Sequence, residues 1–163
     1  MRFKYRVTKY DPQFRDAAGV YRREEWTYFR QVGKKITGKV LTIREYSRTE
    51  SAYLEVLRSM LEEAKLPFLE IRSLQIPREG GKKLAPWARR SRLSVAKAVE
   101  FARLALREEL WGRLVLPGIA YVHFGWDYYM YVGLPVAVPT ACALASSLGL
   151  FVEPFRSPYL RRR

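Results

Sequence analysis

Residues 119–134 read Ile-Ala-Tyr-Val-His-Phe-Gly-Trp-Asp-Tyr-Tyr-Met-Tyr-Val-Gly-Leu. Two short runs of β-forming residues flank a Gly-Trp-Asp break, which is the pattern of a β-hairpin. The stretch holds the only histidine of the chain, His123, among six aromatic residues. Register decides which side chains share a face, because a slip of one residue turns every one of them over. A two-residue turn at Gly125-Trp126 mixes polar and apolar groups on both faces. A three-residue loop, Gly125-Trp126-Asp127, sorts them. Ala120, Val122, Phe124, Tyr128, Met130 and Val132 then form a core face, and Tyr121, His123, Tyr129 and Tyr131 an amphipathic one. Asp127 takes the left-handed position of the loop, which Asp tolerates better than most residues.

Outward from the hairpin, periodicity supplies the other elements. Phe3, Tyr5 and Val7 alternate with Arg2, Lys4, Arg6 and Thr8, so residues 2–9 read as a half-buried strand. A short strand at Trp26–Val32 is expected before the Gly33 and Gly38 turns. Thr42-Ile-Arg-Glu45 is a capping box, and behind it Tyr46, Tyr53, Leu57, Met60, Leu61 and Ala64 recur at helical spacing. This predicts a helix over about residues 43–65, stopped by Leu66-Pro67. Phe68–Ile76 reads as a strand, and residues 77–93 as a long basic loop. Ser94 caps a second helix with the stripe Val95, Ala98, Val99, Ala102, Leu106 and Leu110, and Trp111-Gly112 lies near its end. After the hairpin come a short helix at Thr140–Leu148, a stop at Gly149, a strand at Leu150–Phe155 and a tail over 156–163. Two long helices and one short one that return to strands predict a single α+β domain over residues 1–163, with a mixed or largely antiparallel sheet.

The chain has 163 residues, enough to bury a core without covalent staples. One cysteine excludes an internal disulfide and a cysteine-rich zinc site, and Cys142 in Thr-Ala-Cys-Ala-Leu reads as a small buried hydrophobe. The uncharged stretch Leu134–Val152 is broken by Pro135, Pro139 and Gly149 and reads as core rather than a membrane span. The start, Met-Arg-Phe-Lys-Tyr-Arg, has no apolar run behind it, and the expected location is the cytoplasm.

A net charge of +14 attracts phosphates, acidic proteins or anionic membranes. Residues 1–39 hold 11 Lys/Arg against 4 Asp/Glu and residues 78–107 hold 9 against 2, whereas 114–155 carry only Asp127 and Glu153. Within the middle loop Lys82, Lys83, Arg89, Arg90 and Arg92 surround Trp87 and follow Gly80-Gly81, a composition suited to phosphates and a stacked base. A solvated loop is the plainer reading. Gly-Gly-Lys-Lys lacks the glycine spacing and the following Ser/Thr of a phosphate loop.

No nucleophile elbow, metalloprotease or paired-aspartate pattern is present, and one histidine cannot build a histidine-rich metal site. No catalytic residue, metal or cofactor is assigned. The expected binding residues are Tyr121, His123, Trp126, Tyr129 and Tyr131 of the hairpin, whose rings offer rigid contact area and whose polar tips offer directional bonds. The alternative is that a helix of the same chain covers that face.

Leu106-Arg-Glu-Glu-Leu-Trp111, Tyr121–Gly133 and Gly149-Leu-Phe-Val-Glu-Pro-Phe-Arg-Ser-Pro-Tyr159 resemble an uncharacterised family of small bacterial proteins. Tyr5–Pro12, Glu25-Trp26 and Thr42–Tyr53 are similar to it too, so the resemblance covers most of the chain. It implies no catalytic residue. By analogy of size and class, such proteins can act as immunity proteins that neutralise toxins. Three functional expectations follow. The first is a non-enzymatic cytoplasmic protein whose hairpin and basic loop engage an acidic protein partner. The second is a nucleic-acid-binding module using the basic loop. The third is a nuclease or hydrolase using His123.

Overall fold

A computed structural model describes residues 1–77, 84 and 86–160. The first strand, β1 (Phe3–Thr8), forms where the alternation predicts it. A two-stranded hairpin follows, β2 (Lys35–Ile36) and β3 (Lys39–Val40). Helix α1 (Ile43–Glu63) begins at Thr42, whose hydroxyl accepts Glu45 N–H at 3.1 Å. It ends before Lys65, in the left-handed region, and Pro67. Then come β4 (Leu69–Gln75), β5 (Arg92–Leu93) and helix α2 (Val95–Leu106), with Ser94 Oγ accepting Lys97 N–H. Strands β6 (Trp111–Leu116), β7 (Ala120–Phe124) and β8 (Met130–Leu134) form a meander. Helix α3 (Pro139–Ser147) and β9 (Phe151–Pro154) close the chain. Val138 has no side chain to cap α3, and the Glu63 carboxylate does so instead, accepting from Thr140 N–H (3.2 Å) and Ala141 N–H (2.9 Å). Gly149, at φ +74°, takes the left-handed turn that ends α3.

The fold is α+β, with a seven-stranded sheet ordered β5-β4-β6-β7-β8-β1-β9 beside the small β2-β3 sheet. Every neighbouring pair is antiparallel, which narrows the expected mixed or largely antiparallel sheet to a fully antiparallel one. The three helices lie on one side. Their buried residues share a single apolar cluster with Ile71, Leu114, Val122, Phe124, Met130, Val132 and Val7, which all point to the same face of the sheet. No helix among the described residues is long and apolar enough to cross a membrane.

Four local expectations are corrected. Trp26–Val32 is not a strand: Gln31 Oε1 accepts Thr27 N–H at 2.7 Å and Tyr28 N–H at 3.3 Å, which bends the chain into a 3₁₀ turn at Phe29–Gln31. Trp111-Gly112 opens a strand rather than closing a helix, because α2 stops at Arg107 and Glu108 turns left-handed at φ +57°. Residues 156–160 are not a tail: Ser157 is buried and Tyr159 packs on the sheet, whereas Arg161–Arg163 lie outside the described residues. The hairpin pairs His123 with Tyr131 and Phe124 with Met130, and Gly125 N–H donates to Tyr129 O. Its loop is therefore Trp126–Tyr128, one residue further along than expected. The pairing shifts by two, an even number, so the two predicted faces survive.

Tyr128 ties this loop to the helices. Its ring packs against Trp26, Tyr46 and Tyr53, with centroids 4.9, 5.8 and 5.0 Å away. Its hydroxyl donates to Tyr46 Oη at 3.0 Å, and Tyr46 donates to Glu50 at 3.2 Å. Glu50, 3 % exposed, receives a two-pronged bond from Arg107 at 2.6 and 2.7 Å, joining α1 to the end of α2. That bond raises the Arg107 pKa, against the opposing effect of desolvation. Removing one partner of a buried ion pair costs about 3–5 kcal/mol, at the low end where the other can rehydrate. Glu50→Ala is therefore expected to lower the urea unfolding free energy by about 3 kcal/mol, and Glu50→Gln by less. A loss below about 1 kcal/mol, the range of an exposed pair, would refute the clamp.

Candidate functional site

The sheet face turned away from the helices is read across its strands by register. Arg72 on β4 pairs with Arg113 on β6, Arg113 with His123 on β7, His123 with Tyr131 on β8, Tyr131 with Arg6 on β1, and Arg6 with Glu153 on β9. At the β9 end of this row two guanidiniums share one carboxylate. Arg6 grips Glu153 at 2.9 and 3.1 Å, and Arg15 reaches the same carboxylate at 3.4 Å and Tyr129 Oη at 3.1 Å. The centre is covered by the chain's own C-terminal segment and not by a helix. Ser157 Oγ lies 2.8 Å from His123 Nδ1, within hydrogen-bond distance, and also accepts Tyr159 N–H. Tyr121 stacks on the imidazole at 4.5 Å, while the Tyr159 ring meets His123 at 6.1 Å and Tyr131 at 6.0 Å.

The expected hairpin surface is thereby divided. Tyr121, His123 and Tyr131 are 1, 3 and 6 % exposed, so they do not form a free recognition face. Tyr129 is half-buried, with Tyr10 and Arg15 against it. Trp126, at 68 %, is exposed to solvent. Burial holds the His123 pKa down at about 4, with Arg113 adding to the effect, and pushes Tyr131 up to about 12. Burial also raises Tyr121, and the Ser157 backbone opposes the rise, although no well-formed hydrogen bond reaches Tyr121 Oη.

At the β4–β6 end the face opens into a cleft of about 360 Å³ lined by Ser73, Gln75, Trp111, Gly112, Arg113, Phe124, Trp126 and Tyr159. Its geometry comes from a β-bulge. Arg72 pairs with Arg113 and Gln75 with Trp111, so Ser73 and Leu74 oppose Gly112 alone. The extra residue keeps Leu74 in the core and returns Gln75 to the face that carries Arg72, the re-aiming that bulges produce. Ser73 absorbs the turn at φ +54°. Trp126 leans on Trp111, with centroids 5.2 Å apart and planes inclined by 48°. Arg113 sits 5.6 Å from the Tyr159 ring and donates to Tyr159 O at 3.4 Å.

The end of the basic loop lies against β4, whose Ser73 and Gln75 line this cleft. Arg89 donates from Nε and a terminal nitrogen to Leu74 O at 3.4 and 3.3 Å, which anchors it at the bulge. Arg90 N–H bonds Ile71 O, and Arg92 lies 3.7 Å from Glu70. Arg89, Arg90 and Arg92 are all exposed beside β4. Lys82 and Lys83 lie outside the described residues. Trp87 packs against Phe101, at 5.6 Å, and is partly buried at the edge of the core. Sequence reasoning missed Arg72, Ser73, Gln75, Trp111 and Arg113. The available signal was the alternation Trp111-Gly-Arg113-Leu-Val-Leu116, which a helix assignment concealed.

In the comparisons with known proteins the chain matches no family model, no curated protein and no solved structure, so the resemblance noted in its sequence finds no counterpart there.

The depressed His123 pKa makes a stability prediction. Above the unfolded value of 6.5 the imidazole is neutral in both states. As the pH falls towards about 4 the unfolded chain takes up a proton that the folded chain refuses, so stability is lost across that window. The difference corresponds to a loss on the order of 3 kcal/mol. Urea titrations between these limits should show the parent losing that much more stability than His123→Gln, and equal slopes for the two would contradict the assignment.

Proposed function

We propose that the Trp111–Trp126 cleft binds single-stranded nucleic acid. An unpaired base stacks on Trp126, and the guanidiniums of Arg113 and Arg89 face the phosphates. The observation that carries this reading is a 68 % exposed tryptophan held against a second one, on the rim of a cleft lined by Arg113, with Arg89 bound to the Leu74 carbonyl between its lining residues Ser73 and Gln75. Proteins that bind single strands combine aromatic platforms with positive grooves, because every base offers a π-face and every linkage a charge. The net charge of +14 supplies the long-range attraction. The proposal includes a cytoplasmic location and needs no cofactor.

The reading of an acidic protein partner engaged by the hairpin and the basic loop keeps Trp126, Arg89, Arg90 and Arg92 but has Tyr121, His123 and Tyr131 buried under the C-terminal segment. The reading of a His123 hydrolase meets an imidazole that is 3 % exposed and pinned by Ser157. Neither is supported as well as the cleft.

Titration with a short poly-thymidine oligomer should quench tryptophan fluorescence, and a duplex of equal length should bind more weakly. Trp126→Ala is expected to weaken binding about 10-fold, the value of one stacked base being about 1–3 kcal/mol. The logarithm of the affinity should fall linearly with the logarithm of salt, and Arg89→Ala should reduce that slope by about 0.7. Absence of binding at low salt would remove the proposal.

A further inference from the structure

A second cleft, of about 430 Å³, opens on the same sheet face and includes Met1, Arg72, Val115, Leu116, His123 and Leu160 in its lining. It adjoins the tryptophan cleft along two walls. On the sheet, Arg72 of the second cleft is the cross-strand partner of Arg113 of the first. In the C-terminal segment, Tyr159 lines one cleft and its neighbour Leu160 the other. Along β6 the first is lined by residues 111–113 and the second by 115–116, midpoints three to four residues apart, on the order of 10–13 Å.

The pair at the shared wall is electrostatically incomplete. Directly opposed like charges destabilise a sheet, and their Cβ atoms stand about 5 Å apart. Arg72 has one carboxylate, Glu70 at 2.7 Å, and Arg92 also lies 3.7 Å from that carboxylate. Arg113 meets no carboxylate among the described residues, only the Tyr159 carbonyl and ring. Among the described residues three guanidiniums therefore face one acid. Arg72 Nε is moreover buried with no acceptor. Arg15 Nε is in the same state, but the rest of its guanidinium already meets Glu153 and Tyr129. At the β9 end of the cross-strand row two guanidiniums share Glu153, and at the β4 end three have only Glu70, so the larger excess of positive charge among the described residues lies at the β4 end.

We propose that Arg72 and Arg113 together seat one phosphate, and that this phosphate links a base on Trp126 to a base in the second cleft. The inference rests on the stacking reading for its bases but not for its anion. The smallest full ligand is then a dinucleotide with one internal phosphodiester. The apolar walls of the second cleft, Val115 and Leu160, take the second base, and the exposed part of the Arg72 guanidinium takes a phosphate oxygen. A guanidinium pair suits this role because each offers a planar fork of donors matched to phosphate.

The test uses the full chain and three probes: thymidine, a thymidine dinucleotide, and the same dinucleotide with a neutral methylphosphonate linkage. The charged dinucleotide should bind about 10-fold more tightly than either of the others. Arg72→Gln should bring the charged and neutral dinucleotides together while thymidine still quenches Trp126 as in the parent. Arg72→Lys, which keeps the charge beside Glu70, serves if the glutamine variant does not fold, and should narrow the gap. Equal affinity of the parent for charged and neutral dinucleotides would overturn the phosphate seat, as would a gap unchanged in both variants. If no nucleoside probe binds, the stacking reading fails by itself. Inorganic phosphate would then still raise the melting temperature of the parent more than that of Arg72→Gln if the seat exists, and an equal effect on both would end it.

Discussion

The central strands of this sheet must be covered on both faces, and the chain has helices for only one. All five residues of β7 and all five of β8 are buried. On one side α1, α2 and α3 meet their apolar side chains. On the other, residues 155–160 lie across Tyr121, His123 and Tyr131, with the His123–Ser157 bond at the middle of the contact. An imidazole in such a place has to be neutral and hydrogen-bonded, since a buried unpaired cation is far more costly than a neutral ring. One short segment can cover only the centre of a seven-stranded face. The flanks are dealt with differently: charge pairing on the β1–β9 side, and open clefts on the β4–β6 side.

The hairpin loop works by setting two neighbouring aromatics in opposite directions. Asp127 and Tyr128 both have positive φ, at +57° and +65°. Left-handed backbone costs about 1–2 kcal/mol for each such residue. Burying the Tyr128 ring among Trp26, Tyr46 and Tyr53 offsets this, since a buried aromatic contributes about 2–3 kcal/mol, with ring-edge contacts adding to it. The reversed backbone that lets Tyr128 reach the helices leaves Trp126 outside, resting on Trp111. The exposed tryptophan is thus held in place by the core, through Tyr128, Tyr46 and the Glu50–Arg107 clamp, and its ring is available without being loose.

The legibility of these features follows the range of the interactions that make them. The two faces of the hairpin were legible because side chains alternate with a period of two and the error in register was even. The register itself was not, because Tyr128 looks like a strand residue and only tertiary contact with Trp26 and Tyr53 draws it into the loop. Helices α1 and α2 carried their own caps in Thr42 and Ser94. The stop of α2 was hidden, since a left-handed Glu108 has no composition signal comparable to glycine. The C-terminal segment ends in Arg-rich sequence and reads as a tail, and nothing local to Ser157 reveals that His123, 34 residues earlier, is its partner. The clefts were invisible for the same reason: Arg72, Arg113 and Trp126 meet only after three separate strands are in register.

The bulge in β4 decides what the β4–β6 side can bind. In an uninterrupted strand Leu74 would follow Arg72 on the open face and Gln75 would enter the core, placing an apolar group beside Trp111 and an unsatisfied amide among apolar side chains. Inserting Ser73 in the left-handed region corrects both. It also leaves Leu74 O outside the ladder that joins β4 to β6, and Arg89 takes up that carbonyl. One extra residue therefore polarises the cleft, supplies Gln75 at its edge and provides the anchor for the basic loop. Because bulges interrupt pairing and weaken a sheet locally, an arrangement that also sets Arg72 against Arg113 is unfavourable for the fold taken alone. The Glu70 carboxylate and the Tyr159 carbonyl offset part of that cost, and the proposed anion at the shared wall of the two clefts would offset more of it.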